Sequence, residues 1–180
     1  NIRNTNRPED SGTWIVESTA KKSKYTITGI TGKKGFCCVN ISKDMMNSEV
    51  GFVRKVLQAF EDQNISIEHI PSGIDTMTVF VHQDEFIDKE QNVVSEIHRM
   101  AKPDILEIES DLALIAVVGR GMKSTRGTAG RIFSALAHAN VNVRMIDQGS
   151  SELNIIIGVE NRDFEKAIRA IYDIFVVTQL

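Results

Sequence analysis

A chain of 180 residues with 21 Lys and Arg against 24 Asp and Glu carries a net charge of −3, with a pI near 5.8. That balance argues against nucleic acid or an anionic membrane as partner, since both call for a concentrated basic face. No apolar run approaches the roughly 20 residues that span a bilayer, and no signal-peptide pattern is present. A composition of 42% hydrophobic and 25% charged residues is that of a folded soluble protein. Cys37 and Cys38 are adjacent, so in a strand they face opposite ways and form no ordinary disulfide with each other, which fits a reducing cytoplasm. The chain opens on Asn1 in mid-phrase and reads as a fragment of a longer polypeptide.

In chain order, residues 1–11 are polar and punctuated by Asn, Pro and Asp, a linker in which only Ile2 is suited to burial. Residues 12–16 read as a short strand whose Trp14 packs on the nearest sheet. Lys21, Lys22 and Lys24 form a basic cluster of the kind usually solvated in a loop. Residues 25–30 alternate and are β-branched, a strand. Gly32-Lys33-Lys34-Gly35 reads as a tight turn, and residues 36–41 as the next strand. A helix over 51–63 places Phe52, Val56, Ala59 and Phe60 on one stripe, with Arg54, Lys55, Glu61 and Asp62 turned to water. Strands follow at 65–70 and 77–81, then a polar loop at 84–92, a helix at 93–100 bounded by Pro103, and a closing strand at 105–108.

The second half runs in the same order. Residues 112–118 form a more continuously apolar strand, expected to be central. A Gly-rich loop, a helix at 129–139, strands at 141–146 and 153–159, a helix at 164–171 and a last strand at 175–177 complete it. The order reflects an internal repeat. Shifted by 76 positions (Asn140 minus Asn64), MNSEVGFVRKVLQAFEDQNISIEHIPS falls without a gap on MKSTRGTAGRIFSALAHANVNVRMIDQ. Met46/Met122, Ser48/Ser124, Gly51/Gly127, Ala59/Ala135, Asn64/Asn140, Ile70/Ile146 and Gly73/Gly149 are identical pairs. Each unit is βαββα with a closing strand. The fold class is therefore α+β: two ferredoxin-like βαββαβ modules, antiparallel sheets with two helices each on one face.

Catalytic and metal patterns fail one by one. Gly119-Arg120-Gly121 lies between strand and helix, but a dinucleotide fingerprint requires a third glycine where Ser124 stands. No GxxxxGK[ST] occurs. His69, His82, His98 and His138 lack ligand spacing, so no metal site is expected. The loop before the first helix is different. Gly51 lets the backbone come close, and the free N–H groups of the helix start suit a small carboxylate. Ser66 and Glu68 lie on the strand that follows, where an acidic side chain suits an ammonium group. Together they describe a site for a free amino acid, against the plainer reading of Ser48 as an N-cap and Glu68 as an exposed strand residue. Arg144 takes the place of Glu68 in the second copy, so equal binding there is not expected.

The stretches NIRNTNRPEDSGT, ITGITGKKGF, MNSEVGFVRKVL, ISIEHIPSGID, LALIAVVGRGM, GRIFSALAHANVNVRMIDQGSSELNIIIGV and EKAIRAIY resemble the regulatory C-terminal part of aspartokinases, with its paired ACT modules, over essentially the whole chain. That resemblance implies a feedback-regulatory element, inactive as a catalyst alone, that acts on ATP-dependent phosphorylation of aspartate in amino-acid biosynthesis. ATP and magnesium would belong to the kinase domain, and this chain would need no cofactor. Its partners would be a second copy of itself, paired through the ACT modules, the catalytic domain or subunit, and an end-product amino acid, lysine or threonine. Carried over by position, effector binding falls on Met46, Ser48, Glu49, Gly51, Phe52, Val53, Ser66, Ile67, Glu68, Gly73 and Ile74. Glu49 and Val50 depart from the small and basic residues of the lysine-sensitive type, so threonine or combined sensitivity stays open. The expected division is a linker arm at 1–23, a first module at 24–110 and a second at 111–180. The family's assembly also allows a strand from 12–31 to join the second module, with the first inserted. Modules that only hold an oligomer together, with no ligand, are the alternative.

Overall fold

The computed structural model of the chain describes residues 1–17 and 25–177. One six-stranded antiparallel sheet organises it, in the order β2 (Ile67–His69), β3 (Thr76–His82), β1 (Gly29–Ser42), β4 (Ile105–Val118), β6 (Asn154–Glu160) and β5 (Met145–Asp147). Its middle is a pair of 14-residue strands, β1 and β4, related to each other by the repeat offset of 76. On one side of the pair lie β3 and β2. On the other lie β6 and β5. Helices α1 (Phe52–Asp62) and α3 (Glu90–Ala101) cover the first half, with a short α2 (Gln83–Phe86) between β3 and α3. Helices α4 (Thr128–His138) and α5 (Phe164–Tyr172) cover the second.

The length of β1 and β4 corrects the expected turn at Gly32–Gly35 and the expected break between 108 and 112. Both are continuous strands. Gly29 to Lys34 pairs with Val118 to Ala113, and Cys38 to Ser42 pairs with Glu109 to Ile105, so each long strand serves both halves of the sheet. A register shift at Gly35 joins the two stretches. Gly35 has φ +88° and its repeat partner Asp111 has φ +59°, backbone that glycine adopts freely and Asp tolerates better than most residues. Each irregular N–H finds a carboxamide oxygen: Asn161 Oδ1 accepts from Gly35 at 3.4 Å and Gln83 Oε1 from Asp111 at 3.0 Å.

The extra residue keeps side-chain alternation in phase. Without it, Ile30 and Val39 would point to opposite faces. With it, Cys37, Val39 and Ile41 pack under α1 and α3 while Ala113, Ile115 and Val117 pack under α4 and α5, all on the helix side. Phe36, Cys38, Leu112 and Leu114 fall on the other face, where they form a third cluster with Phe80, Met145 and Ile156. Cys37 and Cys38 thus serve different cores, as their adjacency requires.

Other expectations need correction. Residues 84–92 are helical, because Phe86 is buried in the first core and stacks on Phe60 at 6.3 Å between centroids. Asp173–Val177 continues from α5 as a helical turn, so no strand forms at 175–177. The strand expected over 25–30 begins only at Gly29, although the Thr28 N–H already bonds to Val118 O at 2.8 Å. The strands expected at 65–70 and 141–146 are the three-residue β2 and β5. In the arm an Ile2–Thr13 bridge forms, and Trp14 is 67% and Ile2 61% exposed, so neither is packed on the sheet. The lysine cluster at 21–24 lies outside the described residues.

Gly35→Ala should cost about 1 kcal/mol in urea unfolding, the price of a Cβ in the left-handed region, since the space around it is open. Gly35→Asn should cost less than half of that, as Asp111 indicates at the equivalent position.

Candidate functional site

The two loop–helix starts are built alike. Gly51 (φ +81°) and Gly127 (φ +79°) stand at the N-cap positions of α1 and α4, and no described side chain caps either helix. Ser48 is therefore no N-cap; its hydroxyl meets Asn47 Oδ1 at 3.3 Å. Each start leaves amide N–H groups at the positive end of an 11-residue helix, the arrangement that favours an anion.

The first loop is held by an ionic clamp that the sequence pattern did not reveal. Lys43 Nζ contacts Glu49 at 3.0 Å, donates to Ala101 O and Lys102 O at 3.0 and 3.1 Å, and lies 5.6 Å from the Phe52 ring centroid. It thereby satisfies the last carbonyls of α3 while fixing the loop. Lys55 takes the other Glu49 oxygen at 2.7 Å. These hydrogen bonds, Lys55 first and then Lys43, hold the Glu49 carboxyl below the usual carboxylate range.

The expected site residues divide between two places. Met46 and Phe52 are buried in the first core, with Ser48, Glu49 and Gly51 in the loop above them and Val53 half exposed at the helix start. The turn carrying Gly73 and Ile74 comes to the same end of the sheet, where Lys43 N–H bonds to Asp75 O at 2.9 Å. Ser66 is near the other end of β2, its N–H 3.5 Å from Glu85 Oε2. Ile67 pairs with Val81, and Glu68 accepts from His82 Nε2 at 3.1 Å. Within one chain, therefore, the loop residues and Gly73 are brought together, while Ser66, Ile67 and Glu68 are not joined to them.

Behind the sheet, the face away from the helices is concave. The edge strands β2 and β5, at opposite ends of the strand order, approach until His69 Nδ1 is 3.6 Å from Asp147 Oδ2. Two charged groups line this face. His82 stacks on Phe36 at 4.6 Å and sits between Glu68 and Lys33, the latter 3.5 Å away. In the second unit Arg144 binds Glu109 at 2.6 Å. The repeat relates Lys33 to Glu109 and Glu68 to Arg144, so the charges are exchanged between the copies. The offset alone predicts this exchange. Partly exposed pairs of this kind contribute only about 0–1 kcal/mol, so they do not hold the sheet together.

Other candidates give no chemistry. No group of three metal-binding side chains occurs among the described residues. Burial raises Cys37 to about 11 and Cys38 to about 12, which keeps both as unreactive thiols. Gly119 and Gly121 are explained by packing, since a Cβ there would lie 2.3 Å from Thr26 O and 2.6 Å from Tyr25 O. No helix among the described residues is long and apolar enough to cross a membrane.

Paired βαββαβ units with a glycine at each loop–helix start define a tandem ACT architecture, and residues 115–175 match the ACT domain family directly. The chain matches the C-terminal ACT-domain region of the aspartokinase family. It is 41% identical over 175 residues to aspartokinase 3 of Bacillus subtilis, covering 97% of this chain and 38% of that protein. The crystal structure of Clostridium acetobutylicum aspartate kinase, described as an allosteric enzyme, superposes with a TM-score of 0.91 at 48% identity, over 97% of this chain and 40% of that one. The ligand-free regulatory subunit of aspartate kinase from Thermus thermophilus shares the fold at 22% identity and a TM-score of 0.70, over 83% of this chain and 99% of that one. The chain thus spans about two fifths of the length of the first two relatives.

Because Glu49 has a lowered carboxyl pKa in the folded state, its contribution is present above the unfolded value of about 4.3 and is lost as pH falls through the folded value. Glu49→Gln should therefore be less stable than the parent at neutral pH. The gap should close on acidification, as read by urea midpoints across pH.

Proposed function

We propose that this chain is the regulatory region of an aspartate kinase, which binds an end-product amino acid, lysine or threonine, and thereby controls phosphorylation of aspartate by ATP. The observation that carries the reading is the match along 97% of the chain to an allosteric aspartate kinase at 48% identity. The paired loop–helix starts support it physically. Exposed amides at Gly51 and the start of α1 receive the effector carboxylate, with Met46, Ser48, Glu49, Phe52 and Val53 shaping that end and Gly73 and Ile74 closing the turn beside it. Ile67 and Glu68 lie on β2, an edge strand with one side unpaired, and Ser66 immediately precedes it. They reach the effector of a second copy when two chains pair through their first modules, which accounts for their separation from the loop within one chain. Glu68 then exchanges its His82 contact for the effector ammonium group.

The working boundaries follow the shared strands: an arm ahead of residue 25, a first module inserted within a second, and the Gly29–Lys34 half of β1 assigned to the second module. Regulation is a population shift, in which the effector favours one packing of the paired modules by its differential affinity, typically about 1–3 kcal/mol of coupling.

Calorimetric titration of the chain with lysine, and then with threonine, should give saturable heat with at least one. Glu68→Ala should weaken lysine binding at least tenfold with the thermal unfolding transition retained. Unchanged affinity would remove Glu68 from the site, and silence with both amino acids from folded protein would sink the reading.

A further inference from the structure

A cavity of about 430 Å³ opens on the concave face, between the turn at residues 71–73 of the first unit and residues 143–146 of the second. Its base is apolar and buried, with Cys38, Phe80, Leu112 and Met145 all under one tenth exposed. The wall presented to the cavity is mainly polar. Glu109 and Arg144 stand there as a pair at 2.6 Å, and Thr76, Thr78 and Asn40 lie alongside. The Asn40 carbonyl accepts from Thr78 Oγ1 at 2.8 Å, which leaves its NH₂ as the group available to donate.

The repeat makes this cavity informative. Its symmetry-related corner, at Phe36, Lys33 and Glu68, is filled by the His82 ring, stacked at 4.6 Å on Phe36 and bonded to Glu68. Strand pairing sets Leu112 opposite Glu160 where Phe36 stands opposite His82, so the second unit carries Glu160 at the equivalent position, a carboxylate bonded to Arg162 at 2.7 Å in place of an imidazole ring. One corner is therefore plugged by imidazole and the other is open, with a carboxylate and a guanidinium on its wall. The His69–Asp147 contact brings the sheet edges together at 3.6 Å, so the cavity lies between the two units.

We infer that this cavity is a second ligand site, separate from the loop–helix starts, for a compact zwitterionic α-amino acid with a hydroxyl or amide side chain. The carboxylate takes the planar Arg144 fork, the ammonium takes Glu109, and Asn40 with Thr76 and Thr78 receives the polar side chain. One ion pair is exchanged for two, and the ligand ties β5 of the second unit to β1 and β3 of the first. The site thus reports on the relative position of the two units, whereas a loop–helix site reports on the pairing of chains.

The probe is L-threonine, titrated into the full 180-residue chain and into variants whose thermal unfolding is checked alongside. The expected result is a threonine-binding phase weakened tenfold or more by Arg144→Gln and by Glu109→Gln, less by Arg144→Lys, and not by Ser48→Ala. L-threoninol, which lacks the carboxylate, and N-acetyl-L-threonine, which lacks the ammonium, should both fail to compete. Threonine binding that is indifferent to Arg144 and Glu109 but lost in Ser48→Ala overturns this inference and leaves the loop–helix reading standing. A shift of oligomeric state in Arg144→Gln without a change in threonine affinity also overturns it, since the cavity would then be a contact between chains. Absence of threonine binding to the folded parent chain overturns it too, whatever lysine does at the loop.

Discussion

The antiparallel pairing of β1 with β4 is the constraint from which the rest of the structure follows. Two strands of 14 residues, joined along nearly their whole length, give two small units a single backbone. Neither unit owns its edge. The second half of β1 completes the first unit, its first half lies against the second, and β4 does the converse. Such sharing puts long-range hydrogen bonds where a linker would otherwise sit, so the units move as parts of one sheet. The bulges at Gly35 and Asp111 make this possible. They keep Val39 and Ile115 on the same face despite the change of partner, and so let four helices pack on one side.

Curvature is the second consequence. With all the main helices on one face, the sheet wraps in the opposite sense, and the third cluster around Phe36, Leu112 and Leu114 is buried by the approach of its own edges. Burial of an apolar sheet face normally requires another layer. Here the edge strands supply it in part, and β2 and β5 come near enough for His69 to meet Asp147. These two short strands are also the places where the chain offers unpaired backbone to another molecule. The same two strands thus close the sheet within the chain and carry its unpaired edges.

The two units have diverged in charge while keeping their backbone. Lys43, Glu49 and Lys55 clamp the first loop. In the second unit the corresponding residues are Gly119, Thr125 and Arg131, and Arg131 instead reaches Ile174 O at 2.8 Å and lies 4.5 Å from the Phe175 ring centroid. One loop is anchored by ions to the end of α3. The other is anchored through its helix to the turn after α5, and the close approach of Gly119 and Gly121 to residues 25–27 adds a second tie. Glu68 with Lys33 and Arg144 with Glu109 are exchanged in the same way. The two units thus keep equal backbones with unequal charges.

The repeat, the class of each main element and both helix-facing cores were determined by the sequence itself. Periodicity is a local property, and Val56, Ala59 and Phe60 mark the inner face of α1 whatever lies beneath it. The loop glycines Gly51 and Gly127 were legible for the same reason, since a left-handed residue ahead of an apolar stripe is a local signal. Gly32 to Gly35 read as a turn because glycine and lysine favour one; only pairing with β4 along its full length keeps that stretch extended. Residues 84–92 read as a loop because their helix depends on burying Phe86 in a core assembled from distant strands. The clamp on Glu49, the partners that the exchanged charges meet across the concave face and the cavity beside Arg144 were decided by tertiary structure alone. The cavity and the Glu109–Arg144 pair join residues tens of positions apart, the clamp ties charges six positions apart to the end of α3, and the hydrogen bonds and ion pairs that define them carry no periodicity by which a single sequence reveals them.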